Sequence, residues 1–201
     1  MKRTEYCGKF GEQHRGTRQQ AAGWVQNKRD MGGVIFLDLK DREGVLQVVC
    51  DASELGGDFA LAEAVRLQSV VAVEGVVRRR SEETYNPAIA TGTVELLASQ
   101  IEVLSEAGHL PFSMEEGAAV REDLRLKYRY LDLRQPRMYR NLRFRYEVQR
   151  AAEDYLDVHG FLAVETPMLT KSTPEGARDY LVPSRVHPGK FYALPQSPQQ
   201  Y

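Results

Sequence analysis

Cysteine is scarce in this sequence. Cys7 and Cys50 are too few for a disulfide framework, and neither shares a metal-ligand spacing with the four scattered histidines. Both read as packing residues, which excludes a disulfide-stapled scaffold and the common zinc modules and fits a reducing compartment, the cytoplasm. Charge of one sign is also missing: 27 Lys and Arg stand against 28 Asp and Glu. A polyanionic partner therefore has to meet a local patch, not a globally basic surface. No stretch of about 18 consecutive apolar residues occurs, the length a membrane-spanning helix needs, and the N-terminal MKRTEYCGKF has no apolar core behind its charges. That argues against membrane spanning and secretion. Internal repeats and low-complexity tracts are absent too. What is present, 42% hydrophobic and 27% charged residues over 201 positions, is the composition of an ordinary globular protein. It suffices for one large domain or two small ones, and the change of texture described below favours two.

The stretch from Gly23 to Cys50 organises the rest. Ile35, Leu37 and Leu39 share one parity while Val34, Phe36, Asp38 and Lys40 share the other, the period of a strand buried on one side. Asp41-Arg42-Glu43-Gly44 reads as a turn whose glycine takes positive φ, and Val45 to Cys50 as the returning strand. Closing that hairpin sets Leu39 opposite Leu46 and Asp38 opposite Gln47, and gathers Phe36, Asp38, Gln47 and Val49 on the outward face beside Lys28-Arg29-Asp30. A lone outward ring also serves to cover a neighbouring strand or a subunit, and a charge cluster also serves as a solvated rim. In combination, a ring, an amide and cations on one open face suit an unpaired nucleic-acid base and its phosphates.

Further along, Asp58 to Leu67 has helical spacing, Ser69 to Arg78 is a long β-branched strand with Gly75 placed for a bulge, and Val94 to Leu104 supplies a fifth strand. Three strands, a helix and two strands is the order of an OB-fold, a Greek-key barrel that binds oligonucleotides on its second and third strands. The polar link Arg79 to Gly92 is able to reach that face. After Leu104 the texture shifts. The sequence divides into a barrel over 1–105, a hinge over 106–133 and an α+β segment over 134–201. Within these, Val120 to Leu133 reads as helix, Gln135-Pro136 as an interruption, Tyr139 to His159 as a second helix ending at Gly160, and Phe161 to Val164 as a strand. The second helix carries Phe144, Val148, Ala152 and Tyr155 on one stripe that needs a partner.

Particular residues carry a likeness to a known family over essentially the whole chain. Tyr6-Cys7-Gly8, Gly23-Trp24-Val25, Ile35-Phe36-Leu37-Asp38, Asp41-Arg42-Glu43-Gly44 and Ala90-Thr91-Gly92 resemble the anticodon-binding OB-fold of bacterial aspartyl-tRNA synthetases. Arg125 to Arg134 resembles that family's entry into its catalytic domain. His159-Gly160-Phe161, Glu165-Thr166-Pro167 and Leu169-Thr170-Lys171 resemble motif 1 of class II synthetases, whose helix and proline-bearing strand build a dimer interface. Ser172 to Tyr180 and Ala193 to Gln199 resemble the aspartate-pocket loop and the strand beside it.

The resemblance implies an aspartate–tRNA ligase that activates L-aspartate with ATP and Mg²⁺ and transfers it to tRNA(Asp). It implies that Phe36 stacks on an anticodon base and Gln47 reads one, with Arg29, Lys28, Asn86 and Glu95 nearby. It places Glu175, Ser197 and Gln199 at the aspartate, and Phe144, Val148 and Pro167 in a homodimer interface. No resident metal and no membrane partner are expected. Two departures matter. Gln26-Asn27-Lys28-Arg29 stands where many members have a run of arginines. The family's lysine after the Pro-Gln strand and its motif 2 and motif 3 arginines have no counterparts in these 201 residues, which are therefore expected to bind tRNA without catalysing. Two other readings remain open: a non-catalytic tRNA-binding and dimerising module ending at residue 201, and an asparagine-specific relative.

Overall fold

The computed structural model describes residues 1–114, 119–172, 179–195, 197 and 199, and the chain forms two compact units, Met1–Ser113 and Met114–Tyr201. The first is a closed five-stranded barrel in the order β1-β2-β3-β5-β4. Its strands are β1 (Arg18–Asp30), β2 (Val34–Lys40), β3 (Val45–Asp51), β4 (Val70–Arg79) and β5 (Val94–Ser105), with the short helices α1 (Ala52–Leu55) and α2 (Phe59–Ala64) between β3 and β4. Closure depends on the 13-residue β1, which pairs with β4 from Arg18 to Trp24 and with β2 from Trp24 to Asp30. A bulge between Val25 and Asn27 bends it between the two partners, as an extra residue in one strand does. A second irregularity lies at Gly75, where any Cβ would sit 2.0 Å from the Leu97 carbonyl oxygen. Only glycine permits that approach of β4 to β5.

The alternation in β2 is reproduced in space: Ile35, Leu37 and Leu39 are fully buried, while Val34, Phe36, Asp38 and Lys40 are partly exposed. The hairpin register sets Leu39 against Leu46 and Asp38 against Gln47. Its turn is closed by the buried Asp41. Oδ1 accepts from the Glu43 and Gly44 amides, Oδ2 accepts from the Cys7 amide at 2.7 Å, and Gly44 has φ 154°. The core continues through Val25, Val48, Val71, Val73, Val77 and Leu96, with Leu55, Ala62 and Val65 from the helical connection packed against it. Burial pushes the thiols of Cys7 and Cys50 well above their ordinary range, which leaves both inert at neutral pH.

In the second unit, α3 (Glu122–Lys127) and α4 (Arg129–Asp132) precede α5 (Pro136–Val158). The fully buried Asp132 accepts from Arg125 Nε and Arg129 Nη1, each at 2.8 Å. Pro136 occupies the first turn of α5, where its missing N–H costs nothing, so the residue that interrupts the preceding helix starts this one. At the other end Phe161 N–H bonds the Leu156 carbonyl and Gly160 N–H that of Asp157, with Gly160 at φ 84°. This pair of bonds closes the helix in a Schellman motif. The expected strand at Phe161 to Val164 does not form among the described residues, because no neighbouring strand offers its backbone a partner. A two-stranded sheet, β6 (Leu181–Pro183) and β7 (Phe191–Ala193), completes the unit, and Thr170 exchanges two backbone hydrogen bonds with Ala193.

Candidate nucleic-acid interface

Strand pairing brings the outward residues of five strands into one row. Phe36 lies between Arg29 on β1 and Val49 on β3; Asp38 lies between Asn27 and Gln47; Glu95 on β5 pairs with Arg78 on β4. The parallel pairing of Val48 with Leu96 sets β5 directly beside β3 and brings Glu95 to Gln47. The side chains then connect. Arg29 Nη2 donates to Gln47 Oε1 at 2.9 Å, Gln47 Nε2 donates to Glu95 Oε2 at 2.9 Å, and Arg78 Nε donates to Glu95 Oε1 at 2.7 Å. The Arg29 guanidinium carbon lies 5.6 Å from the Phe36 ring centroid, within cation–π range. Asp38 receives Asn27 Nδ2 at 3.2 Å and Arg29 Nη2 at 3.5 Å.

The arrangement differs from the sequence expectation in depth. Gln47 and Val49 face the same side as Phe36 yet are 3% and 2% exposed, and Gln47 is flanked by Arg29 and Glu95. Phe36 and Arg29 remain the accessible groups. Beneath them the Arg80 side chain is 7% exposed, 3.9 Å from Glu95 Oε2, and its Nε and Nη1 have no hydrogen-bond partner among the described residues. Three guanidinium groups therefore meet two carboxylates on a face that can hold a stacked base and accept phosphate. Asp38 stands opposite Gln47 as the sequence reading placed it, whereas Arg78, Arg80 and Asn27 as partners were missed in the sequence. The available signal was the run Arg78-Arg79-Arg80, whose period of two puts Arg78 and Arg80 on one face.

Other candidates lie elsewhere. Lys28 projects from the opposite side of β1, where its ammonium donates to the Glu63 carbonyl and, at 3.2 Å, to that of Val65, closing the end of α2. Asn86 braces the link between β4 and β5: its Oδ1 accepts the Ala88 amide at 3.0 Å, and its carbonyl oxygen lies 1.8 Å from where a Cβ on Gly92 would be. In the second unit Ser197 Oγ donates to Gln199 Oε1 at 2.7 Å, and Gln199 is exposed. Glu175, the third residue expected at the aspartate, lies outside the described residues. Phe144 and Val148 follow one another along α5 at 68% and 53% exposure, and Pro167 is exposed as well. Among the described residues no group of three or more His, Cys, Asp and Glu is arranged to hold a metal ion, and no helix is long and apolar enough to cross a membrane.

Residues 20–104 match the family described as OB-fold nucleic acid binding domain, and residues 121–201 match tRNA synthetases class II (D, K and N). The aspartate–tRNA ligase of Geobacillus kaustophilus is 55% identical over 199 residues, covering 99% of this chain and 34% of that protein. The aspartate–tRNA(Asp/Asn) ligase of Symbiobacterium thermophilum is 56% identical over 200 residues, again covering 99% and 34%. The chain is an aspartate–tRNA ligase homologue. It spans about one third of the length of these curated relatives. Among solved structures, the asparaginyl-tRNA synthetase of Pyrococcus horikoshii complexed with asparaginyl-adenylate superposes with a TM-score of 0.80 at 26% identity, covering 99% of this chain and 44% of that one. The fold is thus an OB-fold barrel followed by the start of a class II synthetase domain.

Proposed function

We propose that the outward face of β1, β2, β3 and β5 binds the anticodon loop of tRNA(Asp), and that the intact protein joins aspartate to that tRNA with ATP and Mg²⁺. The observation that carries the reading is the position of Arg29, whose guanidinium spans the Phe36 ring and the Gln47 amide on a solvent-accessible face. A base laid on Phe36 gains stacking, its phosphate meets Arg29, and the Gln47 amide, held from both sides, presents its remaining hydrogen-bonding capacity to the base edge. Glu95 fixes Gln47 and screens Arg78 and Arg80. The second unit supplies Ser197, Gln199 and Glu175 toward the aspartate, and the exposed stripe of α5, with Pro167, is an interface for a second copy. The protein acts in the cytoplasm.

The test is binding of a tRNA(Asp) anticodon stem-loop, followed by fluorescence anisotropy, to the native chain and to Phe36→Ala. Loss of one base–aromatic stack is expected to cost about 1–3 kcal/mol with the far-ultraviolet circular dichroism spectrum unchanged. Equal affinity of the two proteins for the stem-loop overturns the reading. An asparagine-specific relative is the second reading, favoured by the likeness to the Pyrococcus horikoshii asparaginyl enzyme. The aspartate–tRNA ligases at 55% and 56% identity outweigh it, and aminoacylation by the intact protein with each amino acid separates the two.

A further inference from the structure

Away from the Phe36 face, three basic side chains converge on one aromatic ring beside the turn between β2 and β3. The guanidinium carbons of Arg3 and Arg42 lie 4.1 Å and 4.5 Å from the centroid of the Tyr6 ring, and the Lys9 ammonium lies 5.6 Å from it. We propose that this cluster binds the phosphodiester backbone of the RNA several nucleotides away from the base stacked on Phe36, as a second anchor indifferent to sequence. This rests on the reading of the barrel face as an RNA-binding surface.

The platform is built before any ligand arrives. Cys7 and Phe10, on either side of a short 3-10 turn, are 0% and 3% exposed and close this end of the core. Tyr6 is joined directly to Cys7, whose amide is held by Asp41. Gly8 lies so near the hairpin turn that a Cβ there would overlap the Glu43 carbonyl, and a Cβ on Gly44 would meet the Gly8 Cα at 2.9 Å. The segment bearing Arg3, Tyr6 and Lys9 is therefore locked to the turn bearing Arg42. Cys7 and Phe10 supply the packing, while Tyr6 is half-buried and Arg3, Lys9 and Arg42 are exposed. The cations do no work in closing the barrel.

Their electrostatics favour an anion. Each cation is drawn to the negative face of the ring, yet like charges repel where the ring gathers them. Lys9 and Arg42 share one carboxylate, Glu43, at 3.9 Å and 3.1 Å. Asp41 is buried with its oxygens committed to three backbone amides, and Glu5 accepts the Tyr6 amide at 2.8 Å. Arg3 donates to the Tyr6 hydroxyl at 3.2 Å and forms no ion pair among the described residues. A phosphate supplies the missing counter-charge, and a guanidinium meets its oxygens with paired N–H donors.

The position fits a strand already held on Phe36. Asp41, which opens the turn, stands five residues beyond Phe36, about 17 Å along a strand at about 3.4 Å per residue. An OB-fold engages about 4–16 nucleotides, so the backbone of a bound strand reaches that far. Contacts of this kind fix the register of the RNA without reading its bases.

The experiment titrates the 201-residue chain with an anticodon stem-loop RNA over a range of salt concentrations. Arg3→Gln combined with Arg42→Gln is expected to reduce the slope of log affinity against log salt by about 1.5, the share of two phosphates at about 0.7–0.9 each, and to leave the ratio of affinities for two loop sequences unchanged. Arg3→Lys with Arg42→Lys keeps the slope, and the thermal melt of the barrel is the same in all three proteins. A neutral methylphosphonate is then placed at each loop and stem position in turn. At one or two positions at least two nucleotides from the stacked base it weakens binding by the native chain and not by the glutamine variant. Phe36→Ala serves as the reference. If Phe36→Ala weakens binding while the glutamine variant keeps the native affinity and slope, the backbone anchor is overturned, the stacking face stands, and the cluster is left to an acidic surface of another protein. If Phe36→Ala has no effect, the face itself falls and the anchor with it.

Discussion

Gln47 donates its amide N–H to Glu95 across 2.9 Å, and the same carboxylate receives Arg78 at 2.7 Å and lies 3.9 Å from the buried Arg80. Glu95 is therefore the common anion of a polar cluster on the barrel wall. Removing it leaves an amide and a largely buried guanidinium uncompensated. Losing one member of a buried charge cluster typically costs 3–5 kcal/mol, and the partial exposure of Arg78 moves the expectation to about 3 kcal/mol for Glu95→Ala in urea denaturation. Replacing Arg80 by leucine in the same protein is expected to return part of that loss. Strictly additive effects of the two substitutions would show that the cluster is not coupled.

Arg29 and Gln47 touch one another yet are assigned different work. Arg29→Ala is expected to lower affinity for every anticodon-loop sequence alike and to reduce the salt dependence by about one phosphate contact. Gln47→Ala is expected to relax base preference with little change in salt slope. Both variants are to be titrated against two loop sequences at two salt concentrations. A change of preference on removing Arg29, with none on removing Gln47, reverses the two assignments.

Much of this face was legible before any coordinates, because a β-strand has a period of two and a four-residue turn fixes the register. Those two facts set Phe36 outward and Asp38 opposite Gln47. The depth of Gln47 was not legible, since it is set by β5 closing beside β3, a pairing between residues far apart in sequence. The same holds for Lys28: the parity change caused by the bulge at Val25–Asn27 sends it to the other side of the strand, and no local pattern marks a bulge there. Helix α5 starts at Pro136, three residues before the expected Tyr139, because proline favours the first turn of a helix as much as it ends one. Glu175 lies outside the described residues, so its place rests on the sequence likeness alone.

The ion cluster of the second unit gives a pH prediction. Hydrogen bonding from Arg125, with the charges of Arg125, Arg129 and Arg137 behind it, holds the Asp132 carboxyl below its ordinary value although burial opposes the shift. A carboxyl whose pKa is depressed on folding contributes stability that is present above its unfolded value, near 4, and is lost as pH falls through the lower folded value. The melting temperature of Asp132→Asn should therefore fall well below that of the native chain at pH 7, and the gap should narrow as the solution is taken below about pH 4. A gap of constant size across that range would assign the loss to packing instead of charge.

The last prediction concerns a second copy of the chain. Helix α5 runs 23 residues, about 35 Å at 1.5 Å per residue, and none of its described side chains is buried. Phe144, Val148 and Tyr155 are 68%, 53% and 63% exposed along one stripe, and Phe161, Leu162 and Val164 beyond it are 63%, 84% and 77% exposed. So much aromatic and aliphatic surface along one element marks an interaction face. The stripe is self-complementary in composition, and a two-fold arrangement buries it with identical contacts from each copy, the commonest way for soluble chains to associate. The 201-residue chain is expected to sediment as a concentration-dependent dimer, and Phe144→Glu with Val148→Glu to shift it to monomer, since each copy then brings two charges to an apolar contact that would have to desolvate them. Their exposure means that the helix itself tolerates the change, so the circular dichroism spectrum should hold. A native chain that remains monomeric at high micromolar concentration would show that this stripe is covered by other residues and not by its own copy.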